Sequence, residues 1–279
     1  QLDSTQTRAK TLAGLGGKEG TVVLAEKQTS GRGRLNREWH SADGGLWFSI
    51  LLRPAIQPSQ VPQLPLIFSI AVADALEKTG AVTCKLKWPN DVWLAPKKPK
   101  SKFKKVCGIL SEMSAESDKV NWLVTGIGIN VNNKIPPALR KQAISLHEAL
   151  GHKANRSELL VNLLERMEKT YEDFLKNGFN SLRKTYLHRS LLTGKRVTVT
   201  ELTRTYTGIA ESIAPDGSLL IRDKTHKLRA VLAGDITLSS SPLPVRRRGE
   251  TGDDQGGGEN QNPSNISHPP NTPAPNTPR

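Results

Sequence analysis

A change of hydrophobic period near Gly194 constrains this chain more than any other feature of its sequence. From there apolar residues recur at every second position, which is typical of strands with one buried face. Four segments read as short strands: 196–200, 206–210, 219–221 and 228–231. Residues 215–218 read as a hairpin turn, and residues 234–238 as a closing strand. So many short strands within about 47 residues predict a small β-barrel.

The chain before residue 190 combines long helices with buried strands. Apolar residues at helical spacing predict helices over 64–79 and 157–177. Continuous apolar runs predict strands over 21–28, 46–52, 106–112 and 122–131. The 279 residues therefore divide into a larger domain over 1–190 and a smaller one over 191–240.

Residues 241–279 are rich in Pro, Asn, Gly and Ser and contain almost no large apolar side chains. Such a segment cannot bury enough surface to order itself, so we predict a disordered tail. The three arginines at 246–248 could bind an acidic surface, although a solvated linker explains them better.

Composition limits the cellular setting. The net charge of +14 permits contact with nucleic acid or an anionic surface without proving it. No run of about 18 apolar residues occurs, so we expect no membrane span. Cys84 and Cys107 fit neither a disulfide framework nor a metal site, and small buried thiols suit a reducing compartment. With no signal peptide recognised, we expect a cytoplasmic protein.

The stretch 30–53 carries the first functional signal. It begins with Gly-Arg-Gly-Arg at 31–34, adds Arg37 and Trp39, and runs into the strand at 46–52. Glycines allow close approach of the backbone to a ligand, arginines bind phosphate and carboxylate oxygens, and tryptophan offers a flat face. We therefore expect a site for an anionic small molecule that contains a ring, the alternative being a solvated basic loop.

Two further groups of polar residues follow. Pro89 forces a bend, around which Lys87, Asn90 and Asp91 could together hold a phosphate, a sugar and a metal ion. The basic run 96–105 reads as an exposed hairpin tip, either a solvated insertion or an electrostatic guide for phosphates or an acidic partner. Lys105 abuts a strand and could point steadily into a cleft, and Asn130 follows two glycines in another strand.

Four stretches in this order and spacing resemble the biotin–protein ligases, a likeness that covers about residues 1 to 240. They are Gly31-Arg32-Gly33-Arg34 with Arg37 and Trp39, Lys87-Trp88-Pro89-Asn90-Asp91, Lys105 with Gly108-Ile109-Leu110, and Gly126-Ile127-Gly128-Ile129-Asn130. Asp3-Ser4-Thr5 and Gly234-Asp235-Ile236 resemble the family's opening and closing motifs. The resemblance implies an α+β fold, with a mixed β-sheet flanked by helices, of the class II synthetase type, and a C-terminal SH3-like barrel.

The resemblance also implies a reaction in two steps. Biotin and MgATP form biotinyl-5′-adenylate and pyrophosphate, and the biotinyl group then passes to one lysine of a biotin carboxyl carrier domain, such as that of acetyl-CoA carboxylase. The implied biotin-binding residues are Ser4, Thr5, Gln6, Thr29, Arg32, Gly33, Arg34, Lys105 and Gly108. The implied ATP-binding residues are Arg34, Arg37, Trp39, Lys87, Asn90 and Asn130. Arg34, Lys105 and Asp91 would be catalytic, with Asp91 also a candidate ligand of Mg²⁺.

Several departures and alternatives accompany this interpretation. Thr29 stands where some members have Gln, and Cys107 where Gly or Ala is common. No DNA-binding helix-turn-helix precedes Asp3, so we expect a ligase of the type without repressor activity or DNA binding; a homodimer is left open.

Two alternative functions are a lipoate–protein ligase and a basic nucleic-acid-binding protein. A competition assay with lipoate tests the first, and salt-sensitive binding of RNA or DNA tests the second.

Overall fold

The structure, a computed structural model, describes residues 1–201 and 203–239. Its helices are α1 (Thr5–Gly14), α2 (Leu64–Lys78), α3 (Leu146–Leu150), α4 (Arg156–Asn177) and α5 (Phe179–Arg189), with short 3-10 turns at Arg34–Asn36, Pro58–Gln63 and Pro137–Leu139. Its strands are β1 (Val22–Ala25), β2 (Leu46–Leu52), β3 (Val82–Lys87), β4 (Asp91–Pro96), β5 (Lys104–Ala115), β6 (Val120–Ile129), β7 (Arg196–Thr200), β8 (Thr205–Ile213), β9 (Leu219–Asp223), β10 (Leu228–Val231) and β11 (Asp235–Leu238). The predicted tail at 241–279 lies outside the described residues.

Six strands form the larger sheet in the order β1-β2-β6-β5-β4-β3, and every neighbouring pair is antiparallel. Among the described residues, parallel pairing is confined to three single bridges, between Leu2 and Gln28, Leu86 and Ser190, and Lys105 and Ala143. The sheet is therefore mixed only at these points. Together with the helices it confirms the predicted α+β class.

Helix α2 supplies the centre of the core. Eleven of its residues are buried, because apolar side chains surround the helix on nearly all sides. The segment Pro58–Lys78 is long and apolar enough to cross a membrane, but 72% of its most apolar window lies inside the protein. A core helix meets the same criterion, and the buried residues of α2 belong to the same hydrophobic core as Phe48 of β2, which indicates that role here.

Five short strands form a second antiparallel sheet in the order β10-β9-β8-β7-β11, as the change of period near Gly194 predicted. This sheet and its turns contact the connection between β3 and β4 and helix α5. The Trp88 indole N–H donates a hydrogen bond of 3.0 Å to the Gly217 carbonyl, and Arg183 donates to the Ile213 carbonyl and to Ser212. The residues that the structure describes form one unit, so the division at residue 190 stays a prediction.

Two local predictions are corrected or refined. The strand expected over 21–28 ends at Ala25, and Gln28 keeps only a single bridge to Leu2. The first helix, α1, begins at Thr5, because the Ser4 hydroxyl accepts a hydrogen bond from the Thr7 amide and caps it. The basic run predicted as a hairpin tip does connect β4 to β5.

Candidate active site

A cavity of about 480 Å³ opens against one face of the larger sheet and brings together nearly every residue that the sequence singled out. The predicted site residues in its wall are Ser4, Thr5, Gln6, Arg32, Gly33, Arg34, Arg37, Trp39, Lys87, Asn90, Asp91, Lys105, Gly108 and Asn130. Residues separated by up to about 130 positions thus meet in one place, because antiparallel pairing aligns β2, β6, β5 and β4 side by side.

Two cross-strand rows of residues form the sheet surface at the cavity. One row is Ser49, Gly126 and Leu110, and the other is Trp47, Gly128, Gly108 and Asp91. The two rows lie two residues apart on the same face, a separation of roughly 7 Å. Since three of these positions are glycine, the surface lacks the side chains that would otherwise fill the cavity.

The Ser49 row carries a network of neutral hydrogen-bonding groups. The Gln28 side-chain oxygen accepts from the Thr5 amide at 2.7 Å, and its nitrogen donates to the Ser41 hydroxyl at 2.8 Å. The Ser49 hydroxyl lies 2.9 Å from that of Thr5 and 3.0 Å from the Gln6 oxygen. Amides and hydroxyls fixed in this way suit a neutral polar ring system rather than an ion.

Thr29, a predicted biotin contact, does not line the cavity and is exposed, whereas Gln28 does line it. The bridge between Gln28 and Leu2 turns residue 28 inward, and alternation along an extended chain then turns residue 29 outward. We therefore replace Thr29 by Gln28 in the proposed site. Sequence reasoning missed Gln28 because it ended an apolar run that was interpreted as strand.

The Gly128 row carries the charged groups. Lys105 Nζ lies 2.7 Å from Asp91 Oδ1, with both side chains largely buried. Arg34 donates to Asn90 Oδ1 at 3.2 Å and to the Gly234 carbonyl at 3.3 Å, and Arg37 pairs with Asp235. Gly234 precedes β11 and Asp235 is its first residue, so the smaller sheet contributes to the site, a role that the sequence analysis did not assign.

Burial perturbs two of these cations. Desolvation lowers the pKa of Lys87 despite the opposing attraction of Asp91, and the ammonium lies 5.2 Å from the centre of the Trp93 ring. Desolvation likewise lowers the pKa of the Arg34 guanidinium, against the attraction of Asp235 and Asp91. Each cation is therefore costly to bury in the free protein, and a bound polyanion would offset that cost.

Trp39 lies flat on the glycine surface. A methyl group at Gly128 would collide with the indole, and one at Gly108 would lie 2.9 Å from its Cζ3 atom. Lys105 Nζ lies 5.0 Å from the ring centre, and Trp47 meets it edge to face. The indole N–H is buried and has no hydrogen-bond partner among the residues that the structure describes.

Comparison with known proteins agrees with this geometry. The profile of the Biotin/lipoate A/B protein ligase family matches residues 1–130, and that of the biotin protein ligase C-terminal domain matches residues 192–239. A Bifunctional ligase/repressor BirA of Bacillus subtilis is 38% identical over 241 residues, which cover 85% of this chain and 72% of that protein. This chain belongs to the biotin protein ligases.

Two further relatives of this ligase support the assignment. The Biotin–[acetyl-CoA-carboxylase] ligase of Paracoccus denitrificans is 31% identical, with 80% of this chain and 92% of that protein covered. The biotin protein ligase from Aquifex aeolicus in complex with biotin and ATP has a TM-score of 0.72 and 34% identity, covering 86% and 96% of the two chains. The predicted family and fold class are confirmed, while the roles of individual residues stay predictions.

Other residues of this ligase qualify the predicted roles. Asn130 is buried, its side-chain oxygen accepts from Asn133 at 3.0 Å, and the Asn133 oxygen has no partner within the described part of the chain. Burial raises the pKa of the Cys107 thiol, which keeps it protonated and argues against a nucleophilic role. Both cysteines are buried, as predicted.

The residues that could hold a metal ion are few. Within residues 1–201 and 203–239 no three His, Cys, Asp or Glu side chains cluster as a metal site would require. Asp91 is paired with Lys105 and has Asn90 beside it. Such a pair fits Mg²⁺ that arrives on a nucleotide and keeps water and phosphate ligands, rather than an ion held by the protein alone.

Proposed function

We propose that this ligase uses ATP to convert biotin into biotinyl-5′-adenylate and then transfers the biotinyl group to a lysine of a biotin carboxyl carrier domain. Activation and transfer of biotin are the activity of the family to which the chain belongs. The roles given below to single residues, to Mg²⁺ and to the carrier are our own inferences. The observation that carries them is the cavity's division into a neutral end and a cationic end on one glycine surface.

The neutral end would hold the ring system of biotin. Gln6, Gln28 and Ser49 are fixed to one another or to the backbone, so little ordering is needed when a ligand arrives. Gly126 leaves space beside them, since a methyl group there would lie 2.5 Å from the Gln6 oxygen. Ser4, the N-cap of α1, and Thr5 add hydroxyl groups beside them, and the Thr5 amide holds the Gln28 oxygen in place.

The cationic end would receive the carboxylate of biotin and the phosphates of ATP. One biotin carboxylate oxygen attacks the α-phosphorus, and the bond to pyrophosphate breaks as negative charge builds on the phosphoryl oxygens. Arg34 and Lys105 stabilise that charge more than the separated reactants, and Arg37 and Lys87 contact the leaving phosphates. Mg²⁺ would come bound to the nucleotide and would neutralise phosphate charge, with Asp91 as the residue that would hold it.

Trp39 would cover the nucleotide base. Arg32 and Gly33, in the same loop of residues 31–39, would lie over the bound ligand. The mixed anhydride formed in the first step reacts readily with water, so a cover that excludes solvent is needed. In the second step the carrier lysine attacks the biotinyl carbonyl and adenylate leaves. The attacking amine must also lose a proton, and we assign Asp91, which pairs with Lys105, as the group that accepts it.

The test is exchange of labelled pyrophosphate into ATP, measured with and without biotin on the folded protein. Exchange that depends on biotin is expected, and transfer of labelled biotin to a carrier domain should follow. No exchange from folded protein would overturn the proposal. Lipoate that competed equally with biotin would favour the lipoate alternative, although the relatives described above are biotin ligases.

A further inference from the structure

A basic surface borders the cavity on one side and has no part in the chemistry described above. We call it the basic rim; its members are Lys97, Lys98, Lys100, Lys102, Lys104, Lys134, Arg140 and Lys141. The first four lie in the connection between β4 and β5, Lys104 is the first residue of β5, and the others lie on the segment 134–141. All except Lys104 are exposed.

The two segments of the basic rim are joined to each other and to the cavity wall. Lys104 Nζ donates to the Arg140 carbonyl at 2.7 Å, and the Lys105 amide donates to the Gln142 carbonyl at 2.8 Å. Leu139, Gln142 and Ala143 line the cavity itself. The basic rim therefore continues directly into the wall beside Lys105.

Carboxylates are absent from both segments of the basic rim. Neither 97–104 nor 134–141 contains Asp or Glu, and within the described chain no member of the basic rim forms an ion pair. Other cations of the protein do find partners, as in the pairs of Arg189 with Asp74 and Glu77. Clustered unpaired cations of one sign attract an acidic partner over about a Debye length.

We propose that the basic rim is the docking surface for the acidic face of the protein domain that carries the acceptor lysine. This inference rests on the proposed function, because the acceptor amine must reach the carbonyl formed beside Lys105. Exposed Leu139, at the edge of the cavity, offers an apolar contact among the cations. Nucleic acid is the less suitable occupant, since Phe103 is the only aromatic residue in the two segments and stacking surfaces are few.

A second consequence concerns the acceptor amine itself. A lysine attacks only when it is neutral, and positive charge nearby lowers the pKa of an ammonium group. Acidic groups on the carrier would pair with the basic rim and allow approach, while the cations at the cavity mouth would favour loss of the proton from the amine. Docking and activation of the acceptor would thus use the same charges.

The test separates the two steps of the reaction with a charge-reversal variant. Lys98→Glu/Lys102→Glu should leave biotin-dependent exchange of pyrophosphate within about twofold of the parent, because neither residue lines the cavity. With an acidic biotin carboxyl carrier domain as acceptor, kcat/KM for the carrier should fall about tenfold or more at low salt, and the deficit should shrink at high salt.

Matched controls and contrary results complete the design. Lys184→Glu/Lys195→Glu makes the same change of charge at two exposed positions outside the cavity wall and should leave kcat/KM for the carrier unaltered. An unchanged kcat/KM for the carrier in the basic-rim variant would overturn the inference about docking. If the same variant still exchanged pyrophosphate, the proposed function would be unaffected by that result. Loss of RNA binding with no effect on the carrier would instead assign the basic rim to nucleic acid.

Discussion

Replacing Gly128 by Ala tests the role given to Trp39. The added methyl group would lie 2.6 Å from Trp39 Cε2 and 3.1 Å from Cζ2. Carbon atoms in ordinary contact are about 3.5–4.0 Å apart, so one group must move by about 1 Å. The backbone of β6 cannot shift away, because Gly128 is paired with Trp47 of β2 on one side and with Gly108 of β5 on the other. The indole must therefore leave its place.

A displacement of this size should be costly for the reaction and mild for the fold. Misplacing a catalytic contact by about 1 Å can cost about 10²-fold in rate, so kcat/KM for ATP should fall by about that factor. When the indole moves away from Lys105, the protein loses a cation–π contact that contributes about 0.5–1 kcal/mol. The free energy of unfolding should therefore change by no more than about 1 kcal/mol, which urea denaturation can measure.

Biotin-dependent pyrophosphate exchange at varied ATP is the assay. Gly14→Ala is the control, since it adds the same methyl group where no atom lies within 4 Å, and it should leave the kinetics unaltered. Combined with Trp39→Ala, the Gly128→Ala change should cost little more, because both remove one interaction. Normal kinetics in Gly128→Ala would refute the role of Trp39, and additive losses would show that Gly128 acts independently of it.

Three other predictions follow from the site. Lys105→Ala should slow adenylate formation in single turnovers by about 10²–10³-fold, and Arg34→Ala in the same direction, because each removes a cation from the reacting phosphorus; near-normal rates in both would contradict the assigned roles. Gln28→Leu should raise the Kd for biotin by about tenfold or more in calorimetry, because the hydrogen bonds that the Gln28 amide would make with the ligand are lost, a cost of about 1–3 kcal/mol; an unchanged Kd would remove Gln28 from the site. Burial lowers the pKa of Lys87, so kcat/KM for ATP should decline on the alkaline side earlier than an ordinary lysine would allow. Lys87→Arg should abolish that decline, because guanidinium keeps its charge, whereas an unaltered pH profile would assign the decline to another group.

Local sequence patterns determined much of this protein. The period of two after Gly194 and the apolar helix over 64–79 reappear as the smaller sheet and as α2, because alternation and helical spacing decide which face can be buried. The Gly-Arg loop and the bend at Pro89 were likewise recognisable, since glycine, arginine and proline have conformational and chemical properties that neighbours hardly change.

The tertiary structure alone decided which of these residues meet. Antiparallel register places Gly128 beside Gly108 and Asp91, and a single bridge at Gln28 selects that residue instead of Thr29. The contribution of Asp235 depends on how the smaller sheet contacts the larger one. Such pairings join residues far apart in the chain, and no local propensity encodes them. The sequence by itself determined the elements and their chemistry, and the packing of strands against one another determined the site.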